Sequence, residues 1–413
     1  MFRFIHASDL HIDSPLRGLE LKPGAPAGRI REATRQAFHN ITSLCLEEGV
    51  AFMLIAGDVF DGDWRDFNTG LFFLRELGRL READIRVFLV RGNHDAASEI
   101  TRRLPWPEHV REFPAREPES VRLDAHGVAI HGMSYAQAAM TDNLVPRYPA
   151  PVRDHLNIGL LHTSAGGHPD HATYAPCSIA ELVGKGYQYW ALGHVHERAV
   201  LHQEPWIVFP GNPQGRHARE SGPRSVTLVS VIDGQVAAAE PIVTDVVRFT
   251  TVTVALDADD DRARMLERAR LALHEAMREA DGHLVAARLR LVGACRAHAE
   301  IEAERAQTLA ELEAEAIGLG EDLWLERVQF LTTPAVDLAS LRESGGLVGT
   351  LLRRVRELNA DPAAARAAIE EMLRPIVGTA PTEAQEFGRI LDPTEVLAQA
   401  EALVAARLQE AAE

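Results

Sequence analysis

Polar side chains of one chemical kind recur at five places in the first half of the chain. They are carboxylates, an amide and imidazoles, with no thiol among them. Oxygen and nitrogen donors of this mixture suit Mn²⁺, Fe or Zn²⁺ better than Cu(I) or an iron–sulfur cluster. The five places are Asp9-Leu10-His11, Gly57-Asp58-Val59-Phe60-Asp61, Gly92-Asn93-His94-Asp95, His162 and Gly193-His194-Val195-His196. Taken together, they predict a metal centre.

A centre with two divalent cations would give these residues a chemical use. Two cations bring four positive charges, whereas Asp9 and Asp58 supply only two negative ones. Asp58 is the natural bridge, because a carboxylate can offer one oxygen to each cation. Two metals roughly 3.5–4 Å apart can clamp the attacking and leaving oxygens of an in-line displacement and lower the pKa of bound water. The predicted chemistry is therefore phosphoester hydrolysis.

Each motif taken alone has a plainer interpretation. Asp9 and His11 could be a turn cap beside a half-buried histidine, and the Gly-Asp and Gly-Asn pairs could be ordinary turns. His162 could be a hydrogen-bonded histidine at the edge of the core. The histidines at 194 and 196 are more specific, because neighbouring imidazoles just past a strand are unusual without a metal. The ordered set favours one shared centre over five unrelated turns.

The motifs are expected to be positioned by an α/β sheet. Apolar runs over residues 2–7, 51–56 and 86–90 predict buried strands, and helical spacing of apolar residues predicts helices over 30–48 and 66–81. Functional groups in α/β architectures gather at one end of the strands, so the motifs can converge. Short strands dominate the sequence after this region, which indicates two facing sheets with helices outside.

The pattern of predicted strands and helices changes near residue 245. Strands are predicted at 249–256, 284–292 and 323–331, and helices at 259–280 and 298–317. Beyond Pro334 only helices are predicted, two of which begin at Asp361-Pro362 and Asp392-Pro393. The sequence thus predicts three regions, which are residues 1–244, 245–333 and 334–413.

Composition narrows the classes of function. The chain has 43 basic and 60 acidic residues, a formal net charge of -17. This makes the chain a poor candidate for a free-standing, sequence-independent nucleic-acid binder, because such binding depends on neutralising phosphates with Lys and Arg. Three widely spaced cysteines are typical of a reducing cytosol. With no signal peptide and no apolar run of membrane-spanning length, a cytoplasmic protein is expected.

The ordered motifs from Asp9 to His196 resemble the signature of calcineurin-like metallophosphoesterases. Within that superfamily the chain is similar to SbcD-type DNA repair exonucleases, and most closely to their YhaO-like branch. The similarity lies in Asp9-Leu10-His11-Ile12-Asp13-Ser14-Pro15 and in Phe209-Pro210-Gly211-Asn212-Pro213-Gln214-Gly215-Arg216. Asp13 is a departure, since many SbcD-type relatives carry glycine there. The resemblance implies a four-layer α-β-β-α sandwich with a small α+β capping domain and a helical C-terminal tail.

The resemblance also implies roles for individual residues. Two divalent metal ions are expected, manganese first, with iron or zinc as alternatives. One ion would be held by Asp9, His11, Asp58 and His196, and the other by Asp58, Asn93, His162 and His194. A metal-bridging hydroxide would attack phosphorus in line. His94 would assist departure of the leaving oxygen, with Asp95 orienting it and Asp61 in support.

Substrate and partner follow from the same resemblance. DNA is the expected substrate, cleaved as exonuclease or endonuclease, and an SMC-like coiled-coil ATPase is the expected partner of the tail helices. A homodimer is a further expectation. The chain has no GxxxxGK[ST] loop, so the partner would supply ATP hydrolysis. The tail could instead pack on its own domain. Alternative functions are a phosphodiesterase or phosphatase acting on nucleotides or phosphoproteins, and an inactive scaffold for an ATPase.

Overall fold

The structure is a computed structural model of the chain. It describes residues 1–14, 26–61, 67–97, 105–166, 174–335 and 347–361, with isolated positions at 343 and between 363 and 371. The helix predicted to begin at Asp392 lies outside the described residues.

Strands and helices alternate in the first part of the chain. The described strands are β1 (Phe2–Ala7), β2 (Phe52–Ala56), β3 (Arg86–Val90), β4 (Val110–Glu112), β5 (Glu119–Leu123), β6 (Val128–Gly132), β7 (Leu156–His162), β8 (Tyr189–Gly193), β9 (Ala199–Gln203), β10 (Trp206–Phe209), β11 (Ser225–Ile232), β12 (Gln235–Val243), β13 (Val247–Ala255), β14 (Leu284–Cys295) and β15 (Leu323–Pro334). The described helices are α1 (Ala27–Glu47), α2 (Phe67–Glu82), α3 (Asn93–Ala97), α4 (Ile179–Gly184), α5 (Arg262–Glu279), α6 (His298–Ala303), α7 (Arg305–Leu319) and α8 (Leu347–Asn359).

Two six-stranded sheets carry the motifs. The first has the strand order β12-β11-β1-β2-β3-β4, and the second has the order β5-β6-β7-β8-β10-β9. Strands β1 to β4 pair in parallel, with β11 and β12 added antiparallel. In the second sheet, β6, β7, β8 and β10 are parallel and the two edge strands are antiparallel. Parallel neighbours place their carboxyl ends at one edge.

The two sheets face each other across an apolar core. Phe4, Phe52 and Phe88 of the first sheet pack in the same cluster as Ile158 and Tyr189 of the second. The opposite face of the first sheet is covered by α1 and α2. The outer face of the second sheet is covered by the short α4 and by connecting segments. The predicted four-layer α-β-β-α arrangement is confirmed, with a fourth layer that is helical only in part.

The later elements differ in detail from their predictions. Strands β13, β14 and β15 form a three-stranded sheet with β14 in the middle. The single helix predicted over 298–317 is two helices, α6 and α7, separated at Glu304, where φ is -122° and ψ is 39°. The chain forms two compact units. One comprises residues 1–250, 277–287 and 321–326, and the other comprises 251–276, 288–320 and the described residues from 327 onwards.

Among the described residues, no helix combines the length and apolar character that crossing a membrane requires.

Candidate metal centre

All five motifs lie at the carboxyl ends of strands. Asp9, Asp58 and Asn93 follow β1, β2 and β3 within three residues. His162 is the last residue of β7, and His194 comes directly after β8. Because these strands are parallel neighbours within their sheets, the loops open at the same edge. The structure therefore brings the predicted site residues together.

Two hydrogen bonds join the sheets at this edge. His162 donates from Nδ1 to the carbonyl oxygen of Ala56 at 2.8 Å. The backbone N–H of His194 donates to Asp9 Oδ2 at 3.0 Å. Each bond links one sheet to the other, so the relative position of the sheets also sets the position of the candidate ligands.

The backbone is strained at four of these positions. The φ angle is 52° at Asp9, 42° at His11, 51° at Asp58 and 107° at His194. Residues other than glycine rarely adopt a positive φ. Those that do so cluster at functional sites, where the surrounding structure enforces this backbone conformation. The fold therefore holds these side chains in place at a conformational cost.

Two glycines leave room for the loops to approach. A Cβ at Gly193 would lie 1.9 Å from the carbonyl oxygen of Ala56, and a Cβ at Gly92 would lie 2.2 Å from Asp58 Oδ1. Neither space can hold a side chain. The glycines of these motifs thus serve close packing around the site.

Gly193→Ala is expected to destabilise the fold by about 1–3 kcal/mol, because the added methyl group must displace the β2 backbone. Urea unfolding would measure the loss. Gly78→Ala in α2 is the matched control, because nothing lies within 4 Å of its Cβ position and alanine is favoured over glycine in a helix. An unchanged unfolding midpoint for Gly193→Ala would contradict the packing role.

Asp9, His11 and His196 form one candidate ligand group. The Nε2 atoms of His11 and His196 lie 3.3 Å apart, and His196 Nε2 lies 3.8 Å from Asp9 Oδ1. Within the described part of the chain, the buried Asp9 Oδ1 has no hydrogen-bond partner. Two ring nitrogens that bind one cation at about 2.0–2.1 Å can themselves lie about 3.3 Å apart. The spacing of the two rings therefore suits a shared cation.

Asp9, Asp58 and His162 form a second group, and His11, Asp58 and His94 a third. Asp58 Oδ2 lies 3.5 Å from His162 Nε2 and 4.0 Å from His11 Nε2. Both histidine nitrogens thus face the same carboxylate oxygen of Asp58, Oδ2. Its other oxygen, Oδ1, accepts the backbone N–H of His94 at 3.0 Å.

Asn93 extends the second group. Its Oδ1 lies 3.0 Å from His162 Nε2. His194 lies beside these residues, with its ring centroid 5.2 Å from that of His162. Among the described residues, three groups have possible ligand atoms within 4.8 Å of one another, and the His194 ring belongs to none of them.

Hydrogen bonding around His162 tests whether these residues fit a cation. A backbone carbonyl can only accept, so Nδ1 of His162 is the donor to Ala56, and Nε2 is the ring nitrogen left for a cation. Nε2 faces the oxygens of Asn93 and Asp58. A cation at this point would be within reach of all three atoms. The residues therefore fit a divalent cation.

Electrostatics favour the same conclusion. Burial lowers the pKa of His11 well below its ordinary value, so its ring is neutral and can bind a cation through a nitrogen lone pair. Burial raises the pKa of Asp58 more than the neighbouring histidines lower it. Burial and the charge of Asp58 raise the pKa of Asp95 to about 7. Crowded buried carboxylates of this kind are relieved by bound cations.

His94 is held by Asp61. Its Nδ1 lies 2.6 Å from Asp61 Oδ1, and its side chain is 38% exposed. Burial alone would lower the pKa of His94, but the hydrogen bond to Asp61 and the charge of Asp58 raise it to about 9. An accessible, protonated imidazole beside the candidate ligands can donate a proton.

Asp95 has a different place from the one predicted. The resemblance implies that Asp95 orients His94, whereas the buried carboxylate of Asp95 accepts the backbone N–H groups of Val59, Phe60 and Gly92. The contact with His94 belongs to Asp61 instead. Asp95 therefore fixes the two loops that carry Asp58 and Asn93, rather than the imidazole itself.

Sequence reasoning missed two residues at the edge of the site. Glu220 Oε1 accepts from His196 Nδ1 at 2.7 Å. The guanidinium of Arg216 lies 3.6 Å from Asp61 Oδ2 and 3.7 Å from Glu220 Oε1. Arg216 is the last residue of the second run of sequence that carries the family resemblance, Phe209 to Arg216. Nothing in its spacing, or in that of Glu220, indicated contact with the motifs.

Comparison with known families bears on the same region. Residues 2–198 match the family described as calcineurin-like phosphoesterase. This region is similar to a calcineurin-like phosphoesterase domain. The predicted resemblance is thereby confirmed, and every predicted site residue from Asp9 to His196 lies within the matched region. Residues 249–333 match a second family, described as the middle domain of metallophosphoesterase YhaO.

Individual relatives show the extent of the similarity. The chain is 37% identical over 238 residues to an uncharacterized metallophosphoesterase YhaO of Bacillus subtilis, covering 57% of this chain and 58% of that protein. It is 25% identical to the DNA double-strand break repair protein Mre11 of Methanopyrus kandleri, covering 51% and 49%. It is 32% identical over 135 residues to the SbcD component of nuclease SbcCD from Rhodobacter capsulatus, covering 30% of each.

The matched regions thus cover between 30% and 58% of the length of these curated relatives. Among solved structures, a dimetal phosphatase from Danio rerio aligns at 11% identity with a TM-score of 0.36, covering 59% of this chain and 99% of that one.

Proposed function

We propose that this protein hydrolyses phosphodiester bonds in DNA with two bound divalent cations, manganese first. The observation that carries the proposal is the position of Asp58, whose Oδ2 atom lies 4.0 Å from His11 Nε2 and 3.5 Å from His162 Nε2. A carboxylate shared by two ligand groups is what a dinuclear centre requires.

The ligands proposed for the two cations are those that the resemblance implies. Asp9, His11, Asp58 and His196 would hold one ion, and Asp58, Asn93, His162 and His194 would hold the other. The contacts of His11 with His196 and of His162 with Asn93 support this division. The less direct assignment is His194, which rests on its ring lying beside His162.

When bound, the two cations would supply positive charge to a phosphoryl group and lower the pKa of water at the site. The chain's own contribution is proton transfer and positioning. His94 Nδ1 donates to Asp61 Oδ1, 2.6 Å away, so the protonated ring can give the proton on its other nitrogen, Nε2, to the leaving oxygen. Asp61 is fixed in turn by the hydroxyl of Ser14 at 2.7 Å. Arg216 places a further positive charge beside Asp61.

DNA is proposed as the substrate because the relatives Mre11 and SbcCD are a DNA repair protein and a nuclease by name. We further propose residues 1–244 as the nuclease domain, 245–333 as a capping domain that selects substrate, and 334–413 as the region that binds an SMC-like ATPase. Free, buried Cys45, Cys177 and Cys295 support a reducing compartment, the cytoplasm.

A panel of phosphoesters tests the function. Purified protein with Mn²⁺ is expected to cleave linear DNA and a generic phosphodiester, and to lose both activities in EDTA. Circular DNA in the same panel separates endonuclease from exonuclease action. Turnover of cyclic nucleotides or phosphomonoesters alone would replace DNA by a nucleotide or phosphoprotein substrate. Bound metal without turnover of any of these would indicate an inactive scaffold.

A further inference from the structure

The segment after β10 surrounds His196 on two sides. The His196 carbonyl oxygen accepts from Arg224 Nη1 at 2.8 Å and from the backbone N–H of Asn212 at 3.1 Å. Its ring nitrogen Nδ1 lies 2.7 Å from Glu220 Oε1. Both the backbone and the ring of this residue are therefore held by one stretch of chain that lies beyond the motifs.

We propose that Glu220 is a positioning residue for His196, holding the proton on Nδ1 so that the Nε2 lone pair faces the cation site. This inference rests on the proposed dinuclear centre. Because an ionised carboxylate only accepts, the shared proton belongs to the imidazole Nδ1. Histidine ligands of metals are commonly fixed in this way by a carboxylate on the far ring nitrogen.

Glu220 is itself held in place. Its side chain is 9% exposed. Its second oxygen, Oε2, accepts the backbone N–H of Arg216 at 2.7 Å and Asn212 Nδ2 at 3.0 Å. The carboxylate thus serves three donors with two oxygens, and its orientation toward His196 is fixed from behind.

This arrangement makes glutamine a sharp test. An amide has one acceptor oxygen, so Glu220→Gln cannot accept from His196 on one side and from Arg216 and Asn212 on the other. In one orientation the glutamine NH₂ group faces His196 Nδ1, which favours the histidine tautomer with the proton on Nε2. In the other orientation the NH₂ group faces the Arg216 backbone N–H and the Asn212 side-chain amide, which are both donors. Both outcomes weaken the presentation of the Nε2 lone pair, with almost no change in side-chain volume.

Glu220→Gln is expected to weaken Mn²⁺ binding by about 10–100-fold, the usual effect of removing an outer partner of a metal ligand. Isothermal titration of the whole 413-residue chain with Mn²⁺ measures this directly. Glu197→Gln is the matched control, because Glu197 is exposed and adjacent to His196 and the variant makes the same change in charge. It should bind Mn²⁺ like the wild type.

A double-mutant cycle separates positioning from general stability. If Glu220 acts through His196, then Glu220→Gln should have little further effect on Mn²⁺ binding in a His196→Ala background. Equal losses in both backgrounds, or full-affinity binding by Glu220→Gln, would overturn the assignment. Should Glu220→Gln fold poorly, Glu220→Asp provides the same test, since it keeps the charge and withdraws it from Nδ1. Wild-type protein that binds no Mn²⁺ would overturn the proposed function together with this inference, whereas the former outcomes leave that function intact.

Discussion

Replacing His94 with alanine is expected to lower kcat by about 10²–10⁴-fold, the usual contribution of a positioned acid or base, while the protein keeps its bound metal. His94 lies beside His11, with ring centroids 5.0 Å apart, and is oriented by Asp61 rather than buried among the ligands. Its removal therefore takes away a proton donor and leaves the assigned ligands of both cations in place.

Two measurements make this test specific. Hydrolysis of a generic phosphodiester reports turnover, and elemental analysis after Mn²⁺ loading reports metal content. His155→Ala is the matched control, because His155 forms another histidine–aspartate pair, with Asp124, away from the site. Loss of one metal ion from His94→Ala would instead make His94 a ligand, in the group it forms with His11 and Asp58. Unchanged turnover would remove it from the chemistry altogether.

Much of the site could be predicted because each motif follows a strand. Parallel strands end at a common edge, so the apolar runs before Asp9, Asp58 and His162 were enough to expect their convergence. Two facing sheets with helices outside follow from the same alternation of runs, whereas the four-layer α-β-β-α sandwich is what the family resemblance implies. The inferences from the runs need only periodicity and residue type, which are local properties of the chain.

The partner of His94 could not be predicted from adjacency. His94 and Asp95 are consecutive residues at the start of α3, and consecutive side chains on a helix point in different directions. His94 consequently faces Asp61 and the ligands, whereas Asp95 faces backbone N–H groups of neighbouring loops. The choice between the two aspartates depended on helix geometry rather than on distance along the chain.

Asp13 shows a second limit. It departs from the glycine of many relatives, and its φ of 57° is one that glycine would adopt freely. Its carboxylate accepts from Arg35 of α1 at 2.7 and 2.5 Å and from Thr69 of α2 at 2.5 Å. The side chain thus ties the loop after His11 to two helices. Only the packing of those helices reveals this role.

Replacing Asp58 with asparagine is expected to remove both metal ions, because this carboxylate is the one ligand assigned to both. The loss in Mn²⁺ affinity should exceed the roughly 10–100-fold typical of an outer partner. Asn93→Ala is the informative comparison, since Asn93 is assigned to one ion and its loss should leave the other bound. Elemental analysis after Mn²⁺ loading and dialysis would count the ions in each variant.

Thermal unfolding provides a second test, because Asp58→Asn is expected to weaken metal binding but to stabilise the metal-free protein. Asp58 is buried near Asp9, and its charge is costly in the absence of a cation. The metal-free variant should therefore melt at a higher temperature than metal-free wild type, yet gain little on addition of Mn²⁺, because a ligand stabilises only the protein that binds it. A variant that keeps two ions, or that gains as much stability from Mn²⁺ as wild type, would contradict Asp58 as the bridge. An asparagine that behaves as wild type in both assays would leave the charge of Asp58 without a function at the centre.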